Sequence, residues 1–247
     1  MKPLPDTNRA TGGFTLVELL TVIAIIAVLG SLAIVGIQSA MKNARDSRCS
    51  GNLRALHIGM SLYSTDWKHW PTLNRETPSN PALYGTQPWY YSLLQGGYII
   101  TRKETIDGYL CLKADALICP SNDANPGSRY TWTSAPYPWI PNYAINSYWG
   151  TNNGKDPQSV NATNDWVRTL GGIVNPSAIL LIDSSSSPSL YPSSNADWAS
   201  SGCLIPRNLH GTGAHAVLAN GAVITVSPAS HPDIKDPKYW DPRYTAN

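Results

Sequence analysis

The sequence has few charged residues and lacks the motifs that common enzymes carry. Charged side chains make up 14% of the 247 residues and the formal net charge is +2, whereas about a quarter of the residues in an average protein are charged. No Lys- and Arg-rich stretch forms a basic patch, so nucleic acid is not indicated as a partner. A G-x-S-x-G elbow, an H-E-x-x-H pair and a Gly-rich phosphate loop are all missing. We therefore predict a protein that is not an enzyme and that requires no cofactor.

One long apolar stretch dominates the amino-terminal region. Residues 14–37 form a run of 24 residues whose only ionisable side chain is Glu18. As a helix this run is about 36 Å long, enough to cross a bilayer core of about 30 Å. Lys2 and Arg9 precede it, and the positive-inside tendency places this short leader in the cytoplasm. We predict a single-pass membrane protein with an extracytoplasmic C-terminal domain.

Glu18 and the residues just before it form a specific motif. An acid inside a membrane span is costly unless it is neutralised, so Glu18 marks a candidate functional site. Gly12 and Gly13 precede the apolar run, whereas Ala40 and its neighbours after the run offer only a poor signal-peptidase site. The stretch G-F-T-L-V-E, residues 13–18, resembles the type IV prepilins and the type II secretion pseudopilins.

This resemblance implies a processing step and a polymer. In those families a prepilin peptidase cuts after the Gly and methylates the new amino terminus, which here implies cleavage between Gly13 and Phe14. The Glu of the motif pairs with the amino terminus of a neighbouring subunit, which implies an assembly role for Glu18. The implied partners are the prepilin peptidase, other pilin or pseudopilin subunits in a homo- or heteropolymer, an inner-membrane assembly platform and the lipid bilayer. The implied location is the bacterial inner membrane, or a periplasmic or cell-surface filament.

An apolar seam of helical period follows the membrane segment. Its members recur at spacings of three and four residues: Cys49, Leu53, Leu56, Met60, Tyr63 and Trp67. This pattern predicts one helix over residues 14–67, which Pro71 then ends. We divide the chain accordingly into a leader (1–13), the transmembrane part of the helix (14–37), its extracytoplasmic continuation (38–70) and a globular domain with a Pro-rich tail (71–247).

The strand signals lie in the second half of the chain. Apolar, β-branched and aromatic residues predict strands at 130–133, 143–148, 178–182, 215–219 and 222–226. Asn220-Gly221 between the last two predicts a two-residue type I′ hairpin, in which both turn residues take positive φ. After Ser227 we expect a polar tail that lies over the domain or is partly mobile. The predicted fold is α+β and pilin-like, with the long helix packed on a small antiparallel sheet with long loops.

Several short motifs beyond the anchor resemble a large bacterial group of prepilin-like proteins. They are CSGNL at 49–53, YSTDWKHWP at 63–71, CPS at 119–121, NYAIN at 142–146 and AILLID at 178–183. The group is labelled by a carboxy-terminal H-x9-D-G, which here reads His210, nine residues, then Asn220 and Gly221. Asn keeps the turn chemistry of Asp but removes its charge. The resemblance implies a pilin-like architecture rather than a specific task.

Four cysteines in an exported domain predict one or two disulfides, for which three full pairings exist. Cys111 and Cys119 are close enough in sequence for a local bridge. Alternatively, Cys49 and Cys119, which both lie in the motifs above, tie the helix to the loop region and leave Cys111 to pair with Cys203. Zinc is not predicted, because no C-x2-C pair is present.

Two histidines raise an enzymatic alternative that we do not favour. His210 and His215, with Asp183 and a serine among residues 184–187, would complete a hydrolase triad, but the flanking motifs are missing. We expect instead that His210 packs or hydrogen-bonds at the base of the hairpin and that His215 begins a strand. The candidate calcium ligands lie outside any recognised calcium loop, and no metal is predicted. Those candidates are Asp183, Asp197 and Asp233.

Two functions from different classes follow from these patterns. The first is a structural subunit, a pilin or pseudopilin, that polymerises through its amino-terminal helix into a type IV pilus-like filament or a type II secretion pseudopilus. The second is a membrane-anchored binding module whose exposed aromatic rings stack on polysaccharide or secreted cargo. The candidate rings for such a platform are Trp89, Tyr90, Tyr91, Trp132, Trp139 and Trp149.

Overall fold

The structure is a computed structural model that describes most of the chain. The described residues are 13, 15–68, 70–71, 89–106, 109–122, 141–149, 173–185, 187, 189–190 and 192–245. Contacts within the chain divide it into two compact units, Met1–Ala44 and Arg45–Asn247. Helix α1, Leu16–Trp67, contributes to both units. Among the described residues, α1 is a helix that is long and apolar enough to cross a membrane.

Helix α1 ends where its backbone changes hand. Lys68, directly after Trp67, has a φ of 61°, and among the described residues it is the only non-glycine residue with positive φ. A left-handed residue at this position is a common helix terminator. The predicted end at Trp67 is therefore confirmed, although Lys68 ends the helix before Pro71 is reached.

The second unit is built around a five-stranded sheet. Its elements are α2 (Trp89–Gln95), β1 (Arg102–Ile106), β2 (Tyr109–Lys113), β3 (Tyr143–Asn146), β4 (Ile179–Asp183), β5 (Ser189–Leu190), α3 (Pro192–Asn195), β6 (Ala214–Leu218) and β7 (Val223–Val226). The strand order of the sheet is β5-β3-β4-β6-β7, in which β5 pairs in parallel with β3 and the other neighbours are antiparallel. A separate antiparallel pair, β1 and β2, precedes the sheet in the chain. The predicted α+β, pilin-like fold is confirmed.

Four of the five predicted strands correspond to β3, β4, β6 and β7, with ends that differ by one or two residues. Strands β1, β2 and β5 were not predicted. The predicted strand at 130–133 lies outside the described residues.

The sheet has one core on each face. On one face Tyr143, Ile145 and Val217 pack in a cluster with the seam of α1, of which the five members from Cys49 to Tyr63 are buried. Trp67, the last predicted member, is instead 54% exposed. The other face belongs to a second cluster, which includes Ala144, Ile182, Ala216, Trp198, Ile234 and Trp240.

The carboxy-terminal tail is fixed to the domain through a buried amide. Asn146 is fully buried, and its side-chain nitrogen donates to the carbonyl oxygens of Ile179 and Trp240, both at 2.7 Å. Trp240 is itself fully buried and donates its indole N–H to the carbonyl of Ile234. Of the two expectations for the tail, the structure shows the packed one over this segment.

The β6–β7 hairpin differs from its prediction. The backbone N–H of Leu218 donates to the carbonyl of Ala222 at 2.9 Å, and the N–H of Gly221 donates to the carbonyl of Leu218 at 2.9 Å. Only Gly221 in the turn has positive φ, 85°. A three-residue loop with glycine in the left-handed region gives this pattern. The predicted type I′ turn is therefore wrong, because Ala219 joins Asn220 and Gly221 in the loop.

Cys49 and Cys119 form the disulfide that the structure contains, across 70 positions of sequence. It joins α1 to the segment after β2, which is the second of the two pairings considered. The local Cys111–Cys119 bridge is therefore wrong. Cys203 is a free thiol, so it does not pair with Cys111, whose side chain lies outside the described residues.

The packing of α1 on the sheet predicts a contrast between two leucines of the same helix. Leu56 is fully buried, whereas Leu62 is 52% exposed. We expect Leu56→Ala to lower the free energy of unfolding of the C-terminal domain by about 2–5 kcal/mol, because it leaves a cavity under the sheet. Leu62→Ala, the matched control, should change it by about 0.5 kcal/mol or less. Denaturation of the full chain in detergent, followed by Trp fluorescence, measures both; equal losses would contradict the packing.

Candidate functional site

The amino-terminal motif is a helix cap. The amide and hydroxyl of Thr15 donate to Glu18 Oε2 at 2.9 and 2.8 Å, and the Glu18 amide donates back to the Thr15 hydroxyl at 3.3 Å. This reciprocal pairing between residues three apart is a capping box, which satisfies N–H groups that have no partner inside the helix. The sequence T-L-V-E therefore sets the start of α1 as well as carrying the acid.

Gly13 lies before this cap in non-helical backbone. A Cβ atom added at Gly13 would meet nothing within 4 Å, and its φ is not in the left-handed region. The fold of the chain itself thus does not require glycine at this position. Phe14, the other residue of the predicted processing site, lies outside the described residues.

A second polar site lies in the C-terminal domain, on the sheet face that α1 covers. Side chains alternate between the faces of a strand. Ile182 and Ala216 belong to the far core, so their neighbours Asp183 and His215 project toward α1. Asp183 is paired across the sheet with Tyr143, which belongs to the α1-side core. The end of β4 thus carries a carboxylate into an otherwise apolar layer.

His210 joins this carboxylate to α1. Its Nδ1 lies 2.7 Å from Asp46 Oδ1, and its Nε2 lies 2.9 Å from Asp183 Oδ2. The His210 side chain is 1% exposed and that of Asp183 is 0% exposed, whereas Asp46 is at the edge with 21% exposed. An imidazole with a carboxylate on each nitrogen is favoured in its protonated form, imidazolium, because both nitrogens then donate a hydrogen bond to a carboxylate.

The electrostatic surroundings agree with this assignment. Burial acts to lower the pKa of His210, but the hydrogen bonds and charges of Asp183 and Asp46 outweigh it, so the pKa is raised. The pKa of His215 is lowered by burial and by the charge of His210. The two rings stack in parallel with centroids 3.7 Å apart. The charged form is therefore favoured at His210 and disfavoured at His215, relative to a free imidazole.

The loop that carries both histidines is shaped by glycine. The backbone N–H of His210 donates to the carbonyl of Gly213 at 2.9 Å, which closes the loop before β6. A Cβ at Gly213 would lie 2.1 Å from the carbonyl oxygen of Val226 on β7. Only glycine allows that approach, so Gly213 lets the loop after His210 pass close to β7.

The two ends of the H-x9-N-G motif lie apart in the structure. Strand β6 lies between His210 and Asn220, so the two residues occupy opposite ends of that strand. The Asn220 side chain accepts from the Ala222 amide at 3.0 Å, a turn-stabilising bond that Asp would also make. His57 of α1 holds the same turn, with Nε2 3.0 Å from the Ala219 carbonyl. His210 is therefore at the far end of β6 from the hairpin turn, not near the turn itself.

The structure also shows the contacts of the residues considered for a hydrolase triad and for calcium. The imagined triad fails because both nitrogens of His210 already face carboxylates, which leaves neither to activate a serine. Of the calcium candidates, Asp183 is engaged by His210, and Asp197 accepts from Lys235 at 3.2 Å. His215 is in β6, one residue after its start.

The aromatic platform is not supported by the described rings. Trp89 and Trp149 are 1% exposed and Tyr90 is 3% exposed, so these rings form core rather than a stacking surface. Tyr91 is partly buried. Trp132 and Trp139 lie outside the described residues.

Two residues of these sites were missed from the sequence alone. Thr15 was not recognised as the cap partner of Glu18, although T-x-x-E before an apolar run is a known signal. Asp46 was not singled out, although it precedes Cys49 by three residues and therefore shares its helix face. The contact of Asp46 with His210 spans 164 positions and has no local signal.

The comparisons agree with the architecture. A capped apolar helix, joined to an α+β domain, defines a pilin-like protein. Residues 8–34 match the family described as the prokaryotic N-terminal methylation motif. The chain is 34% identical over 77 residues to the type II secretion system core protein G of Escherichia coli strain K12 and 29% identical over 87 residues to that of Klebsiella pneumoniae.

These matches cover 29% and 35% of this chain, and 53% and 62% of the two relatives, so the chain spans little more than half the length of the curated relatives it matches. No solved structure matches the chain. The resemblance to a prepilin-type motif and to a pseudopilin is thus confirmed. Membership of the H-x9-D-G group stays a prediction.

The buried imidazolium predicts a large cost for its removal. His210→Ala leaves the carboxylate of Asp183 buried without its cationic partner, and we expect it to lower the stability of the C-terminal domain by about 3–5 kcal/mol. His231→Ala, at a partly exposed histidine near the tail, should cost about 1 kcal/mol or less. Urea unfolding of both variants in the presence of a metal chelator measures the difference. Equal midpoints would contradict the proposed charge on His210.

Proposed function

We propose that this chain is a structural subunit, a pilin or pseudopilin, that is processed by prepilin peptidase and assembles through its amino-terminal helix into a type IV pilus-like or type II secretion filament. The observation that carries the proposal is the methylation motif at residues 8–34 on an apolar helix. The described chain buries none of the apolar stretch of α1 that is long enough to span a membrane. Such a surface needs lipid or neighbouring helices to cover it.

The roles of the chain segments follow from this proposal. Residues 1–13 are the leader that the peptidase removes, and residues 14–37 anchor the protein in the inner membrane before assembly. Residues 38–70 are the extracytoplasmic segment in which the helix continues as far as Trp67, and residues 71–247 form the displayed domain. The partners are the peptidase, other subunits, the assembly platform and the bilayer, and the protein itself is not an enzyme.

Glu18 is the proposed assembly residue. Its described hydrogen-bond partners are the amide and hydroxyl of Thr15, both neutral, so these contacts satisfy its oxygens without cancelling its charge. Cleavage after Gly13 would create an ammonium group at Phe14. A neighbouring subunit's amino terminus would then supply the opposite charge that a carboxylate in a membrane requires.

Processing can be measured directly on protein from its native membrane. We expect intact-mass and amino-terminal analysis to give a mature chain that begins at methylated Phe14. Gly13→Leu should leave membrane insertion and the domain unchanged, because the chain tolerates a side chain at Gly13. It should abolish cleavage, because the proposed cut follows this glycine. Gly30→Leu, also with open space around its Cβ, is the matched control and should be cleaved normally. A wild-type chain that still begins at Met1 would overturn the proposed processing.

The charge on Glu18 can be separated from its capping role. Glu18→Ala removes both, whereas Glu18→Gln keeps an oxygen that accepts from Thr15 but carries no charge. We expect both variants to insert into the membrane and both to enter filaments much less than wild type, because the carboxylate pairs with a charged amine. Sheared-filament yield, compared with total membrane protein, measures this. Normal filaments from Glu18→Gln would show that only the helix cap matters.

A further inference from the structure

We propose that Asp183, His210 and His215 form a binding site for a divalent transition-metal ion of the zinc class in the C-terminal domain. The proposal does not depend on filament assembly. Each of the three residues offers a ligand atom, and these atoms all lie within 4.8 Å of one another. Two imidazoles and a carboxylate are a ligand set that zinc takes in proteins. Oxygen-seeking ions such as calcium are disfavoured by the two nitrogen donors.

The first observation for the site is a pair of buried polar atoms without partners. Among the described residues, Asp183 Oδ1 and His215 Nδ1 are buried and accept or donate no hydrogen bond within the protein. Asp183 is fully buried, so an unsatisfied carboxylate oxygen there is costly. Such atoms call for a bound ion or water. An ion bound by both residues would satisfy both atoms at once.

The second observation is the support around the proposed ligands. Asp46 Oδ1 lies 2.7 Å from His210 Nδ1 and itself accepts from the Ser121 hydroxyl at 2.8 Å. Metal-bound histidines almost always donate their far ring N–H to a carboxylate, a backbone carbonyl or a water, which fixes the ring and its tautomer; here Asp46 is that acceptor. The backbone N–H of His215 donates to Asp183 Oδ2 at 2.6 Å and orients the carboxylate. His210 therefore already directs Nε2 at Asp183.

The two carboxylates of the cluster suit a divalent ion. Asp46 and Asp183 bring two negative charges, which a divalent ion bound to neutral histidines cancels. An uncompensated charge is costly in a buried site, so the cluster matches such an ion. Binding releases the proton from His210 Nε2, which the ion replaces.

One side chain must move for full coordination. The rings of His210 and His215 are parallel to within 5° and 3.7 Å apart, so they cannot both direct a nitrogen at one ion in this arrangement. Coordination by all three residues therefore requires the His215 ring to turn about its side-chain bonds until Nδ1 faces the ion. Asp183 Oδ1 is available as a fourth donor.

A second group of candidate ligands shares His210 but is excluded under oxidising conditions. Cys49, Cys119 and His210 also lie within reach of one ion. The two sulfurs are bonded to each other in the disulfide, so neither is a thiolate that binds metal. Experiments on the oxidised chain therefore test the Asp183 site alone.

Calorimetric titration of the full-length, oxidised protein in detergent tests the proposal, after EDTA treatment and removal of the chelator. We expect one equivalent of zinc to bind. Asp183→Asn should weaken the affinity at least about 100-fold, and Asp46→Asn about 10- to 100-fold, the range for carboxylates that orient a ligating histidine. His215→Ala should also weaken binding, although its backbone N–H still holds Asp183. Asp197→Asn, at a partly exposed carboxylate paired with Lys235, should bind as wild type does.

A measurement on the unaltered chain keeps the test independent of how the variants fold. Nitrogen-detected NMR of the histidine rings should show that one equivalent of zinc removes the proton from His210 Nε2 and shifts His215 Nδ1. Near-ultraviolet circular dichroism checks that each variant is folded. The proposal is overturned if zinc leaves both ring signals unchanged, or if wild type and Asp183→Asn bind it equally. In either case water fills the space beside Asp183, and any zinc bound lies on the surface.

Discussion

The change of hydrophobic pattern along α1 is the constraint on which the rest of the structure depends. Its first half is apolar around the whole circumference, so no single face can be buried against the chain itself. Its second half carries one apolar seam, from Cys49 to Tyr63, which packs on the sheet. A single helix therefore links a segment that needs lipid or other helices to a domain with its own core. The amino-terminal methylation motif, residues 8–34, extends into the apolar first half of α1.

The sheet is held to the second half of α1 by more than apolar contact. The Cys49–Cys119 disulfide and the Asp46–His210–Asp183 chain of contacts lie near each other, with Cys119 Sγ 3.7 Å from His210 Nε2. At the other end of β6, His57 bonds the hairpin turn. The helix is thus fixed by directional bonds at both ends of one strand.

Glu18 and Asp183 show two solutions to the same problem, a carboxylate in an apolar environment. Asp183 is fully buried, and its own chain supplies a cation at His210. Glu18 has only the neutral donors of Thr15 among its described contacts. The internal acid therefore has a histidine of its own chain against it. The acid in the apolar helix has no such contact among the described residues, and we propose that assembly supplies its partner. This difference explains why a substitution at His210 is expected to affect stability and one at Glu18 is expected to affect polymerisation.

Features that depend on residues close in sequence were predicted, whereas features that depend on distant contacts were predicted wrongly or not at all. Helix α1 and the later strands were predicted, because their patterns repeat every few residues and report burial directly. The turn at Asn220-Gly221 was placed but given the wrong type, since the loop length depends on the register between β6 and β7. Trp89 and Trp149 were candidates for the aromatic platform of the binding-module alternative, yet they are buried in the core. Composition alone does not say whether an aromatic ring is buried or exposed.

The sequence by itself determined the anchor, the motif around Glu18 and the α+β class, because these rest on neighbours along the chain. Only the tertiary structure decided that Cys49 pairs with Cys119, and that Asp46 and Asp183 enclose His210. Those contacts join residues 27 to 164 positions apart. No local pattern encodes them. They form because the fold brings polar side chains from separate parts of the chain to one point.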